Sequence, residues 1–127
     1  MKTRYAVAVG LVAGIGIGAV AVQGLHAQSN PPIYYIGEIE ITNADGYAKE
    51  YLPTAQGLIE SMGGRYLASG KATPVEGAPP ASRVILVAWD SMEALQAWRN
   101  SEAFKKGREI GNKYATFRAF AIQGKAQ

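Results

Sequence analysis

From Ile33 to Thr42 apolar and polar side chains alternate with a period of two, and β-branched and aromatic types dominate. That alternation predicts a strand with Ile33, Tyr35, Gly37, Ile39 and Ile41 on one face and Tyr34, Ile36, Glu38 and Glu40 on the other. The period then changes. Asp45 offers an N-cap, and Tyr47, Tyr51, Ala55, Leu58, Ile59 and Met62 recur at helical spacing until Gly63-Gly64 ends the pattern. Pro53 inside this helix predicts a kink or a division, because it removes a backbone donor and crowds the preceding turn.

Arg65 to Ser69 reads as a short second strand. Gly70 to Ala81 holds three prolines and Gly77 and reads as a loop. Arg83 to Trp89 is a continuous apolar run, as expected of a central strand covered on both faces. Asp90-Ser91-Met92-Glu93 resembles a capping box, with Asp90 or Ser91 as N-cap. The helix it opens directs Met92, Leu95 and Trp98 inward. Ser101-Glu102 starts another helical piece with Ala103, Phe104, Gly107, Ile110 and Tyr114 on one face, and Thr116 to Gln123 reads as the last strand.

The resulting order, βαββαβ, predicts an α+β fold of the ferredoxin-like kind, a four-stranded antiparallel sheet with helices on one face. The other face needs a cover. Alternation places Tyr34, Ile36 and Glu38 there, with Val87, Trp89, Arg118 and Phe120 as expected neighbours. So much apolar surface predicts a homodimer paired through its sheets, with a small cavity left between sheet and partner.

Residues 1–27 have the layout of a secretory signal. Lys2 and Arg4 form a basic start, Tyr5 to Val22 are uncharged and apolar, and Leu25-His26-Ala27 places a small residue at a cleavage point before Gln28. The competing reading is an uncleaved anchor. Cleavage predicts a periplasmic or secreted protein with no membrane association, a short linker at 28–32, a single domain at 33–124 and a tail at 125–127.

Export changes both charge and chemistry. The whole chain has thirteen Lys and Arg against ten Asp and Glu; Lys2 and Arg4 leave with the signal, so eleven bases face ten acids. That balance gives no electrostatic case for nucleic acid. His26, the one histidine, also leaves, and the chain has no cysteine. Imidazole and thiolate chemistry are therefore excluded from the processed protein, along with zinc sites of the ordinary kinds. No metal site and no cofactor are expected. Gly14-Ile15-Gly16-Ile17-Gly18 follows no strand, and Gly70-Lys71 lacks the flanking residues of a phosphate loop.

Five residues are candidates for a ligand site. Glu38 is a base or an orienting carboxylate if a cavity raises its pKa, or else the partner of Arg118 or Arg83 in a structural bridge. Arg65 either clamps an anion or forms a salt bridge across strands or protomers. Tyr34, Tyr51 and Trp89 either stack on a flat ligand or serve core and interface. Glu76 reaches over a cavity mouth or is solvated, and Lys105-Lys106 with Arg108 reads as a solvated basic face.

Gly63-Gly64-Arg65-Tyr66-Leu67, Glu76-Gly77, Trp89-Asp90-Ser91, Ala97-Trp98, Ser101-Glu102-Ala103-Phe104 and Gln123-Gly124 occur in that order across residues 33–124. In this succession the chain resembles the bacterial domain-of-unknown-function family thirteen-thirty, of the dimeric α/β-barrel superfamily. The resemblance implies a fold and a dimer, and little function. Three positions depart from the family pattern: Ala68-Ser69-Gly70 replaces a basic residue and glycine, Ala88 replaces a Glu, and Ile110-Gly111 replaces an Ile-Arg pair. A binding protein is then expected more than a fully equipped catalyst. The leading expectation is an exported homodimer that holds a small, partly apolar organic molecule between sheet and helices. The alternatives are a cofactor-independent oxygenase or isomerase with Glu38 or a Tyr as base, and a structural or interaction module.

Overall fold

A computed structural model describes residues 31–126. The predicted signal at 1–27, most of the linker at 28–32, and Gln127 lie outside the described residues. The first strand, β1 (Ile33–Ile41), pairs antiparallel with β3 (Arg83–Trp89) on one side and with β4 (Ala115–Gln123) on the other. The edge strand β2 (Arg65–Lys71) joins β3, and the order across the sheet is β2-β3-β1-β4. This is the ferredoxin-like α+β arrangement that the order of elements predicts.

Register fixes the two faces. Tyr35 stands opposite Val87 and Ala121, Gly37 opposite Ile85 and Ala119, and Ile39 opposite Arg83 and Phe117. These residues share the helix-covered face. The other face pairs Tyr34 with Ala88 and Ile122, Ile36 with Leu86 and Phe120, and Glu38 with Val84 and Arg118. Arg118 and Phe120 are thus where alternation put them, but Val87 and Trp89 are not. Both are 0 % exposed beneath the helices. The phase of β3 against β1 was the missing quantity, since a shift of one residue exchanges the faces. Nor is β3 covered throughout: Val87 to Trp89 are buried, while Arg83 to Leu86 are only half-buried.

β2 carries a bulge. Tyr66 pairs with Val87 and Ala68 with Leu86, so Leu67 is an extra residue, 53 % exposed. Tyr66 thereby stays on the helix side, and Ser69 comes to lie opposite Ile85.

The first helical stretch is divided, as Pro53 requires. A short α1 (Ala44–Gly46) leads into a π turn at Tyr47–Tyr51 and then into α2 (Leu52–Ser61), with Pro53 in its first turn. Pro53 has no N–H to continue the ladder, and the turn before it widens so that the Leu52 N–H donates to the Tyr47 carbonyl. The widened turn buries both Tyr47 and Tyr51, with ring centroids 5.3 Å apart. The N-cap is Asn43, whose Oδ1 accepts the Gly46 N–H at 3.0 Å; Asp45 falls in the first turn instead of capping it. A β-region residue is needed at the cap, and Asn43 supplies it at the end of the strand.

Ser91 caps α3 (Met92–Arg99) and Ser101 caps α4 (Glu102–Gly111), each accepting a backbone N–H at 3.1 Å. With Ser91 as cap, Glu93 stands one position too early to close a capping box, and Asp90 is released to pair with Arg65. Leu95 and Trp98 are buried as expected, but Met92 at the first position of α3 is 41 % exposed.

The core has two lobes. One gathers Ile33, Tyr35, Ile59, Val87, Trp89, Leu95 and Trp98. The other gathers Ile39, Tyr47, Tyr51 and Ala115, with Phe117 and Ile110 against it. Ile85 touches both. In the first lobe Trp89 and Trp98 stack at 5.2 Å, and Tyr35 meets Trp98 edge-on at 5.1 Å.

Gly63-Gly64 closes this lobe. Gly63 takes φ +104°, and the Gly64 N–H donates to the Ile59 carbonyl at 2.9 Å. A Cβ on Gly64 would stand 2.6 Å from Ile59 Cγ2 and 2.9 Å from Trp89 Cζ2. Gly64→Ala is therefore expected to destabilise the fold by about 1–3 kcal/mol, the usual cost of overpacking. Denaturant unfolding checks it, and an unchanged midpoint would show that the Trp89 ring is not fixed against this turn.

Candidate functional site

Between the two lobes lies a cavity of about 270 Å³. One water occupies about 30 Å³ in the liquid, so there is space for a molecule of one or two rings. Gly37 and Ile85 form the floor, with Ile85 and Tyr35 leaning into the place a side chain at 37 would take. Tyr35, Trp98 and Phe104 wall one side, Tyr47, Tyr51 and Phe117 the other, and Tyr66 and α2 close the rest.

Tyr51 is seated by an absence. A Cβ on Gly111 would approach Tyr51 Cε1 to 2.7 Å and Phe117 Cζ to 3.0 Å. Gly111 is therefore what admits the Tyr51 ring. Tyr51 in turn lies 5.5 Å from Phe117, across to β4.

Besides Arg118, which Glu38 holds, two cations line this aromatic enclosure. Arg83, at the start of β3, donates through Nη2 to Ser69 Oγ at 2.7 Å. Arg108, from α4, lies 3.8 Å over the Phe117 ring and 4.7 Å over Phe104. The Nε of each is buried with no hydrogen-bond partner. Burial raises the pKa of Tyr47, with the neighbouring Tyr51 adding to the effect. Burial likewise pushes Tyr66 up to about 12, helped by Tyr51 and Tyr47. Both phenols therefore remain protonated donors at neutral pH.

Of the five residues singled out in the sequence, two line the cavity: Tyr51 as a wall and Glu38 at the rim. Glu38 is 8 % exposed and committed elsewhere. Its Oε1 accepts the Ala81 N–H at 3.2 Å, and its Oε2 meets Arg118 Nη2 at 2.5 Å. The backbone donor first and Arg118 second hold its carboxyl below the ordinary value. That is the structural bridge, and it makes Glu38 a weaker base.

The other three stand apart. Tyr34 is half-buried on the far face of the sheet, against Gly124. Arg65 pairs with Asp90 at 2.9 Å on the surface, a contact worth about 0–1 kcal/mol. Trp89 fills the first lobe, its indole N–H buried without an acceptor. Glu76 is exposed in the loop, and Lys105 and Lys106 are exposed on α4.

Arg83, Arg108, Tyr47 and Tyr66 were not singled out as a site, although a signal existed for each cation. Arg83 shares its alternation with Ile85, Val87 and Trp89. Arg108 falls at helical spacing with Phe104 and Gly111, which separates it from the solvated lysines beside it. Among the described residues no group of three His, Cys, Asp or Glu side chains gathers as a metal ion would require.

Residues 32–125 match the family described as Domain of unknown function (DUF1330). No curated protein is significantly similar to the chain. Among solved structures, the RPA0582 protein of unknown function from Rhodopseudomonas palustris has 13 % identity and a TM-score of 0.63, covering 86 % of this chain and 94 % of its own. SnoaB, a cofactor-independent oxygenase from Streptomyces nogalater, has 10 % identity and a TM-score of 0.56, covering 76 % and 96 %. A conserved protein from Methanosarcina mazei Go1 has 14 % identity and a TM-score of 0.52, covering 79 % and 99 %. At such identities these likenesses show the fold.

The Glu38 bridge has a pH signature. A carboxyl held below its ordinary value of 4.5 stabilises the fold at pH above that value and loses its contribution as pH falls through the lower, folded value. Glu38→Gln is expected to melt below the parent at pH 7, and the gap should shrink as the pH drops through the acid range. Melting curves across pH decide it; a gap that stayed constant into strong acid would show that the charge at Glu38 is not the stabilising element.

Proposed function

The chain belongs to the DUF1330 family, and from that premise we propose that it binds a small, partly apolar organic molecule in the helix–sheet cavity, as an exported homodimer. The observation that carries this reading is the cavity itself: a gap between two packed lobes, walled by aromatic rings and furnished with a few polar groups. Such concave, largely apolar sites with sparse polar groups are the usual form of small-molecule pockets. Tyr51 provides contact area, and Glu38 stands at the rim.

Binding is favoured over catalysis by the ionisation of the groups present. An oxygenase or isomerase acting without a cofactor needs a base at the reacting atom. The Glu38 carboxylate is held by the Ala81 N–H and Arg118, which makes it a weaker base, and the Tyr47 and Tyr66 phenols hold their protons.

Dimerisation is supported by the uncovered sheet face. Tyr34, Ile36 and Leu86 are half-buried there, while Phe120 is 51 % and Ile122 58 % exposed. A second copy applied to this face would bury a contiguous apolar strip. Export is supported by the three-part layout of residues 1–27, and the exported protein is expected to begin at Gln28, as intact mass would report.

Gly107 supplies the decisive variant. It lines the cavity from α4, and a Cβ there meets nothing within 4 Å. Gly107→Leu should strengthen the helix by about 0.5–1 kcal/mol while filling the space. With 2-naphthol as a fluorescent probe, the parent is expected to bind and Gly107→Leu to lose that binding without loss of stability. Undiminished binding by the variant would place the probe elsewhere. For the dimer, light scattering should give twice the chain mass for the parent and a monomer for the double variant Phe120→Glu, Ile122→Glu. A monomeric parent would overturn the sheet-to-sheet assembly.

A further inference from the structure

We infer that the molecule held in the helix–sheet cavity is a conjugated oxyanion, of which an aromatic carboxylate is the simplest form, with its negative group seated against Arg83 and Arg108. The inference rests on the cavity being a binding site and adds the charge of its occupant.

The charged inventory of the cavity is mostly cationic, with Arg83, Arg108 and Arg118 against the single acid Glu38. Arg83 and Arg108 are donors only, and a guanidinium keeps its charge across the physiological range. Tyr47 and Tyr66, held protonated by burial, add two hydroxyl donors. Both guanidiniums line the same cavity as Tyr47. Neither has a carboxylate partner among the described residues. Glu38, the one acid at the rim, is held by Arg118 and Ala81.

Each cation is fixed on one side and lines the cavity. Ser69 Oγ anchors Nη2 of Arg83, while its Nε is buried with no partner. The faces of Phe117 and Phe104 hold the plane of Arg108, while its Nε is likewise buried and unpaired. The rings engage Arg108 by cation–π contact, which leaves its terminal N–H groups for an acceptor. Buried donors without acceptors are uncommon in folded proteins. Two guanidiniums with no acid partner among the described residues, both lining one cavity of aromatic walls, describe a complement to a flat molecule with an anionic end.

The test uses 2-naphthoate and 2-naphthamide, which share a ring system and differ in the charge of the head group. On the unaltered protein, titration should show naphthoate bound at least about tenfold more tightly than the amide, as expected for a charge-assisted pair. Naphthoate affinity alone should fall as salt is raised. Arg83→Gln and Arg108→Gln should each weaken naphthoate by about tenfold and leave the amide nearly unchanged. Equal affinity for the two compounds would overturn the inference while leaving the cavity as a binding site. Binding of neither would remove the cavity reading and the inference with it. Because the comparison of the two probes is made on the parent protein, it stands even if an arginine variant fails to fold.

Discussion

The helix-covered face of the sheet is packed at its two ends and left open at its middle, and the remaining features of the molecule follow from that division. At one end Trp89, Trp98 and Tyr35 interlock; at the other Tyr47, Tyr51 and Phe117 do. Gly37, in the centre of β1, offers nothing to bridge them, and among the described hydrophobic side chains Ile85 alone packs against both. The helices rest on two supports, and the space between the supports is the cavity. Aromatic rings suit this construction because each buries a large area while staying rigid. A wall of Leu and Met in the same places would more readily collapse into the gap.

Two local devices keep the second support in place. Pro53 forces a π turn, and the wider turn brings Tyr47 and Tyr51 onto one side of the helix. Gly111 then leaves room for the Tyr51 ring. Neither device is cheap in helix stability, since π turns and helical glycines are both disfavoured. They persist because the rings they seat are buried, and full burial of one large side chain contributes about 1.5–3 kcal/mol. The bulge at Leu67 does the corresponding work on β2, holding Tyr66 on the cavity side.

The strands and helices were legible because their periods of two and 3.6 are imposed by backbone geometry and recur over long segments. Thus β3 has the predicted bounds, and Pro53 divides its helix. What alternation does not contain is the phase of one strand against the next. Trp89 was consequently assigned to the open face, where its size suggested a stacking role, and register places it under Gly64 in the core. Arg108 was masked differently, by two lysines in the same turn that made a basic patch look uniform. Its spacing from Phe104 and Gly111 held the needed signal, but charge composition was the more conspicuous one. The bulge had no sequence mark at all: Arg65-Tyr66-Leu67-Ala68 has no glycine to announce it.

Charge is sorted by the sheet, and this sorting bears on what the fold can do. The acid on β1, Glu38, lies on the far face and is matched there by Arg118 and by the loop through Ala81. The cations Arg83 and Arg108 lie on the cavity side with no acid among the described residues to match them. The charged lining of the cavity is Arg83, Arg108, Arg118 and the Glu38 that Arg118 holds, so positive charge prevails within it. It can hold electron-rich groups, lower the energy of negative charge on them and fix their orientation. The fold thus supplies the enclosure, and the guanidiniums and phenols that line it are what the proposed recognition of an anion rests on.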